Sequence, residues 1–428
     1  MQTILTFHGS RDRFISLNVF VAFMVNIPVN ILNSNVKINA KIHDKLFEKI
    51  VNIKEGFSGN SPPSVFIGSK LKYPKVNVGI LAPPEITEDS WIYDSQNYWA
   101  RNNYGIKDIL EFRTSLINSR FSTRVTNFNE RLISIAQEIA MAAKPVDLEV
   151  SLKKKVSFDL ELSRFNLPMG PRALLDNVKI TSNPKVEKKV EKVIYDTDLK
   201  AVDALNYLYS NSYDEQTLSK LLSIGLLGVK KNRKLVSTRW SITAVDDSLG
   251  KDMLKNIKED ETIDSFQLFY GNHLGNYYFI MLFPNVFSYE LFEMYLPGSS
   301  WNPSNEIAAS TDHEDFFGRT NYASNTVGGY YAARLGILEY LSKIKKQASI
   351  LVIRLETPEY WAALGVWVVR AASRKTMEAR PVIFEDKDKM LEFARLSIKK
   401  RFNYDINSLY AKSVLLNNIL KQKTLKDF

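Results

Sequence analysis

The sequence predicts a mixed α+β (α/β) protein with more than one region. Three observations predict it. Stretches that alternate apolar and polar residues are interspersed with stretches whose apolar residues recur three and four apart. Of the 428 residues, 45% are hydrophobic and 12% aromatic, enough to bury a large core. Near residue 262 the texture changes to aromatic strands. The expected division is a larger N-terminal region over residues 1–261, a smaller α/β region over 262–402, and a helix with a flexible basic tail over 403–428.

Taken in order, the first apolar run, Val19 to Val25, follows Arg11 and Arg13 in the manner of a secretory signal. It lacks a small-residue cleavage site, and Asn18, Asn26 and Pro28 interrupt it well short of the roughly 20 residues that span a bilayer. It reads as a buried strand, so no membrane partner and a cytoplasmic location are expected. "SPPSVFIGSKLKYPKVNVGILAPPE" reads as short strands stopped at Pro83 and Pro84. "NERLISIAQEIAMAAK" places Leu132, Ile135, Ala136, Ile139 and Ala140 on one stripe, an amphipathic helix ended by Pro145. "DLEVSLKKKVSFDLEL" has period two, with Leu148, Val150 and Leu152 facing one way in a half-exposed strand.

Two or three helices are expected next, the second ending at Asn211 and the third at Gly225 or Gly228. "VKKNRKLVSTRWSITAVDDSLG" reads as a hairpin turning at Asn232 and Arg233, and a helix followed by a basic hairpin is the grammar of a winged helix. Lys230, Lys231, Arg233, Lys234 and Arg239 are its candidate nucleic-acid contacts; a solvated turn is the plainer reading. Asp246 and Asp247 read as the cap of a following helix. Beyond 262, "GNHLGN" is a turn between aromatic strands, and a long helix runs from about Gly328 to Lys346. The strand "SILVIRLE" follows, and a charged helix begins near Asp386.

The formal net charge of +10 and pI near 9.3 suit a nucleic-acid partner, and suit equally a lysine-rich solvated surface. No cysteine is present, which excludes disulfides, thiolate zinc sites and cysteine nucleophiles. His8, His43, His273 and His313 are scattered without ligand spacing, so no metal is expected and no cofactor can be named. In "GRTNYASNTVGGYYAAR", Gly328 and Gly329 at a helix start, Thr326 as cap, and Arg319 and Arg334 form a candidate phosphate or nucleotide site. The competing reading is that the glycines let the helix pack closely on a neighbour.

Three long stretches carry a resemblance: "NPKVEKKVEKVIYDTDLKAVDAL", "LLSIGLLGVKKNRKLVSTRWSITAVDDSLG" and "GRTNYASNTVGGYYAARLGILEYLSKIKKQASILVIRLETPEYWAALGVWVVR". With "YPKVNVGILAPPE", they strongly resemble the archaeal Nre family of DNA-repair proteins, from about residue 65 onward. The resemblance implies a DNA-repair role, a two-part architecture and, as in many members, a tail that binds the sliding clamp (PCNA). Many members carry a cysteine cluster near the N-terminus that looks like a zinc site. This chain has none, so no metal role of that region carries over.

The tail "QKTLKDF" fits the clamp-binding form of Gln, two residues, an aliphatic, two residues, an aromatic, in Gln422, Leu425 and Phe428. Residues three apart eclipse on a 3₁₀ turn, so Leu425 and Phe428 present one apolar face. Lys421, Lys423 and Lys426 suit an acidic clamp surface, and equally suit a solvated tail. The leading expectation is a DNA-repair protein recruited by the clamp, its body touching DNA around Lys230 to Arg239. An enzyme acting on a nucleotide or nucleic-acid end at the 319–334 segment, and a scaffold without activity, stay open.

Overall fold

The computed structural model describes residues 13–15, 50, 52–157, 160–302 and 304–421. The expected strand at 19–25 and the tail residues Gln422, Leu425 and Phe428 lie outside them. Strands are β1 (Arg13–Ile15), β2 (Gly56–Ser61), β3 (Ser64–Ile67), β4 (Lys75–Ala82), β5 (Ile117–Arg124), β6 (Val146–Leu152), β7 (Leu160–Leu162), β8 (Arg172–Ile180), β9 (Phe266–His273), β10 (Asn276–Phe283), β11 (Ser288–Tyr295), β12 (Ala308–Glu314), β13 (Ser349–Glu356) and β14 (Val382–Phe384). Helices are α1 (Gln96–Arg101), α2 (Ile106–Thr114), α3 (Arg131–Met141), α4 (Lys188–Tyr195), α5 (Ala201–Ser210), α6 (Glu215–Ser223), α7 (Thr238–Ile257), α8 (Val327–Ile344), α9 (Trp367–Glu378), α10 (Lys387–Phe402), α11 (Asn407–Lys412) and α12 (Val414–Lys421). The expected mixed α+β class is therefore what forms. Among the described residues no helix is long and apolar enough to cross a membrane.

The chain divides into two compact units. One takes Met1–Ala204, Gln216–Ser241 and Ala363–Gly365; the other takes Leu205–Glu215, Ile242–Ala362 and Val366–Phe428. The first is built on a sheet of order β2-β6-β8-β5-β4-β3, antiparallel except between β5 and β8. β6 alternates as its sequence does, with Val146, Leu148, Val150 and Leu152 buried and Glu149 and Ser151 exposed. α3 buries Ile133, Ile135, Ala136, Ile139 and Ala140 against β3 and β8, while Leu132 stays half-buried.

The second unit is built on a sheet of order β12-β11-β13-β10-β9-β14, in which only β11 and β13 run parallel. β10 and β13 are buried along their whole length, because helices cover both faces. On one face Tyr278, Ile280 and Leu282 pack with Tyr330, Ala333 and Ile337 of α8. On the other, Tyr277, Phe279 and Met281 pack with Met390, Ala394 and Ile398 of α10, and with Leu409, Leu415 and Leu416 further on. The β9–β10 turn is two residues, Leu274 and Gly275, with φ of 50° and 75°. That geometry matches the strand twist, and a Cβ on Gly275 would meet the Tyr360 nitrogen at 2.4 Å.

Two local expectations are corrected. No hairpin follows Val229: Lys230–Asn232 forms one 3₁₀ turn, and α7 starts at Thr238. The reason is Arg233, whose guanidinium donates to the carbonyls of Gly228 (2.7 Å), Ile194 (2.9 Å) and Asp196 (3.1 Å) and folds the segment onto the end of α4. The winged-helix grammar therefore has no wing. Asp246 and Asp247 are not caps but lie in the middle of α7.

His273, at the end of β9, is 6% exposed, and the Lys375 ammonium donates to its Nδ1 at 3.2 Å. Burial first, and then the Lys375 charge, push its pKa down to about 4. The unfolded chain binds a proton near pH 6.5 that the native state refuses until about pH 4. The stability this group supplies is thus complete above pH 6.5 and lost as pH falls through 4, by roughly 3 kcal/mol at 1.36 kcal/mol per unit. Urea denaturation between pH 4 and 7 should show a shallower fall for His273→Gln than for the parent chain.

Candidate functional site

The 319–334 segment packs against the end of β12, whose Asp312 and Glu314 pair with Leu291 and Tyr289 in the first half of β11. Its candidate residues do come together, around carboxylates. Arg334 is 1% exposed and donates through Nη1 to both oxygens of Glu314 (2.7 and 2.9 Å) and through Nη2 to Asp247 (2.7 Å). Arg319 bridges to Asp312 at 3.1 Å and donates to the His313 carbonyl. Thr326 does not cap α8. Its hydroxyl and backbone N–H, with the N–H of Asn325, donate to Asp312 Oδ2 at 2.8–2.9 Å. A Cβ on Gly329 would fall 2.2 Å from Glu293 Oε1, so this glycine admits a carboxylate where a phosphate was expected.

Glu293 in turn meets Arg354 of β13 at 2.5 Å and Tyr295 at 2.7 Å, and Arg354 continues to Asn276 (2.6 Å) and Glu356 (3.2 Å). Burial alone would lower the Arg354 pKa; Glu293 and its neighbours more than offset this, and the net direction is up. Consecutive residues of α7 take different arginines because a helix turns about 100° per residue. Asp246 accepts from Arg370 of α9 at 2.7 and 2.8 Å, while Asp247 accepts from Arg334 of α8. Burial pushes the Asp246 carboxyl up to about 6 even with Arg370 in contact. Arg374 is gripped by Glu215 and by Glu339 (2.6 and 2.8 Å), which also accepts from Tyr209. Chemically, this arrangement orders helices: both Nη groups of Arg334 have carboxylate acceptors, and its buried Nε has none.

The sequence singled out the arginines and glycines but missed Asp312, Glu314, Glu293 and Arg354. Strand position could have found them: β12 buries Asp312 and Glu314 on alternate residues, and Arg354 interrupts the apolar run of β13, a strand buried at every position. Of the basic stretch, Lys230, Lys231 and Lys234 are exposed, Arg233 is spent on the carbonyls already described, and the Arg239 guanidinium stacks over the Phe165 ring at 3.8 Å.

The helix leading toward 422–428 has its own anchor. Glu290 of β11, fully buried, accepts from Ser413 Oγ (2.5 Å) and from the N–H groups of Val414 (3.1 Å) and Leu415 (3.0 Å). Ser413 Oγ accepts from Leu416 N at 3.0 Å, an N-cap bond that separates α12 from α11 in what reads as one helix in the sequence. α12 is thereby fixed to the second unit through its first turn.

Fold and site together define a class: a two-unit α+β protein, each unit on a mixed six-stranded sheet, with a charge-balanced interior. Comparison with known proteins gives the family. Models described as "Archaeal Nre, N-terminal" and "Archaeal Nre, C-terminal" match residues 33–302 and 314–428, and the chain belongs to the archaeal Nre family. It is 38% identical over 339 residues to DNA repair protein NreA of Haloferax volcanii (78% of this chain, 80% of the relative). It is 39% identical over 379 residues to DNA repair protein NreB of Archaeoglobus fulgidus (88% and 93%), and 38% identical over 361 residues to NreA of the same organism (83% and 88%). No solved structure matches.

Glu290→Ala should strand three donors at the start of α12 and cost roughly 1–3 kcal/mol for each that stays buried and unpaired. Urea denaturation should move accordingly, and hydrogen exchange at 414–421 should accelerate more than exchange in β10.

Proposed function

We propose that this chain acts in DNA repair and is recruited to its site of work by a ring-shaped sliding clamp through Gln422, Leu425 and Phe428. The observation that carries the reading is their spacing, which puts the aliphatic and aromatic side chains on one face of a 3₁₀ turn and leaves Gln422 to hydrogen-bond in a polar pocket. The names of the relatives support the repair role. The anchoring of α12 by Glu290 supports the recruitment role, because a peptide that follows a docked helix is held to the body over a short tether. Burying Leu425 and Phe428 contributes roughly 1.5–3 kcal/mol each, and ordering the peptide opposes it.

The body adds a weaker, salt-sensitive attraction to DNA through the exposed Lys230, Lys231 and Lys234, with Arg239 nearby in sequence. The alternative, an enzyme with a phosphate pocket at Arg319, Thr326, Gly328, Gly329 and Arg334, stands second because Asp312, Glu314 and Asp247 hold the donors there.

Calorimetric titration of the full chain into the sliding clamp of its own cell type should give a dissociation constant on the order of micromolar. Phe428→Ala should weaken it at least about tenfold. Equal affinity of the two proteins, or no binding by either, overturns the reading.

A further inference from the structure

The first unit carries a basic edge where backbone hydrogen bonds tie three distant segments together. β4 starts at Lys75, β5 ends at Arg124, and the two residues are direct cross-strand partners. Just before β4, Lys75 N donates to the Lys72 carbonyl at 3.0 Å and closes a turn around Tyr73 and Pro74. The Pro74 carbonyl accepts from Val125 N at 2.9 Å, and the Val125 carbonyl accepts from Leu235 N at 2.8 Å. Tyr73, Lys75, Arg124 and Lys234 thus sit on adjoining, hydrogen-bonded backbone.

Two features of this edge have no explanation inside the fold. The first is charge. Cross-strand partners have Cβ atoms roughly 4.5–5.5 Å apart, and like charges directly opposite each other destabilise a sheet. Lys75 and Arg124 are such a pair. Both are exposed, and among the described residues neither has a carboxylate or other side-chain partner. Glu130, the carboxylate nearest to Arg124 in sequence, accepts instead from Thr123 (2.7 Å) and Asn127 (3.2 Å). Lys72 and Lys234 are likewise exposed and have no ion-pair partner among the described residues. An anion set between these cations offsets their repulsion.

The second feature is Tyr73 itself, which is 72% exposed; among the described residues no cation or second ring packs on it. Its backbone is already ordered by the turn, so covering the ring costs little further chain entropy. Cations around an exposed aromatic ring are the recognition elements of a single-stranded nucleic acid: the cations follow the phosphates and the ring stacks on a base. A duplex offers the phosphates but keeps its base faces stacked on one another. An acidic peptide offers the charge without a row of flat bases.

We propose that this edge binds single-stranded DNA, with a base stacked on Tyr73 and neighbouring phosphates at Lys75, Arg124 and Lys234. The inference rests on the reading that the body attracts DNA and deepens it: lysines alone attract any polyanion, and the Tyr73 ring selects an unpaired strand.

The test is fluorescence anisotropy of the full chain with a short labelled oligo-dT and with a duplex of the same length, at two salt concentrations, with polyglutamate as competitor. Thermal unfolding is recorded for every variant. Tyr73→Ala should weaken binding of the single strand at least about tenfold and change duplex binding by less than about twofold, and Tyr73→Phe should restore most of what Tyr73→Ala loses. Lys75→Gln with Arg124→Gln should weaken binding of both probes and lower the salt slope by about one to two. It should not lower the unfolding temperature, because it removes a repulsion. Undiminished binding of the single strand by folded Tyr73→Ala, or by folded Lys75→Gln with Arg124→Gln, overturns the proposal. Polyglutamate that competes as well as unlabelled oligo-dT of equal charge assigns the edge to an acidic partner and also overturns it. Binding of neither DNA probe at low salt overturns the body's attraction to DNA as well, whereas duplex binding with no effect of Tyr73→Ala overturns the stacking role alone. The clamp is absent from these titrations, so their outcome is independent of recruitment.

Discussion

Four arginines buried or nearly so in the second unit, Arg334, Arg354, Arg370 and Arg374, set the terms for everything packed around them. A guanidinium out of water needs a carboxylate with good geometry, and removing one partner of such a pair typically costs about 3–5 kcal/mol because the other charge stays buried. The partners come from far along the chain: Asp246 and Asp247 from α7, Glu293 from β11, Glu314 from β12 and Glu339 from α8. Each pair can form in only one relative placement of its elements. Adjacent aspartates on α7 hold two different helices, α8 through Arg334 and α9 through Arg370, so the rotation of α7 fixes both at once. Apolar side chains would tolerate a range of packings there; the ion pairs do not.

The same constraint governs what the surrounding backbone can do. Gly329 is small because Glu293 needs the space, and Gly250 lets the Arg334 guanidinium pass where a Cβ would lie 3.3 Å from Nη2. These glycines serve packing against charge. At the start of α8 the close neighbour of Gly329 is a carboxylate. Asp312 takes over the role expected of a bound anion ahead of α8, collecting two backbone N–H groups and a hydroxyl. An internal carboxylate in that position is permanent, and it orders the chain there without any ligand.

Elements whose identity depends on local periodicity were legible in the sequence. β6 alternates and is half-buried; α3 shows its stripe, shifted so that Ile133 replaces Leu132 at the core; α8, β13 and the helix starting after Asp386 stand where their patterns put them. Failures occurred where a distant partner decides the outcome. The 229–240 segment carries hairpin chemistry, but Arg233 finds three carbonyls at the end of α4, and a turn leading to a helix is what remains. Two adjacent aspartates look like a cap until their arginines, 124 and 87 positions away, are known.

This accounting also locates the excess positive charge. Each buried arginine of the second unit has its carboxylate, so those side chains contribute nothing to the net +10 that an approaching molecule meets. The excess is carried elsewhere, in part by exposed lysines such as Lys230, Lys231 and Lys234. Lysine is a flexible, strongly hydrated point charge. It attracts a polyanion over about one Debye length and gives little geometric selection. Selection needs arginine forks held at fixed spacing beside hydrogen-bonding groups, and in the second unit the forks are already committed to carboxylates. A surface whose excess charge sits on lysines thus draws a polyanion in a salt-dependent way and with little discrimination of its own, because the arginine forks able to discriminate are folded into the interior of the second unit.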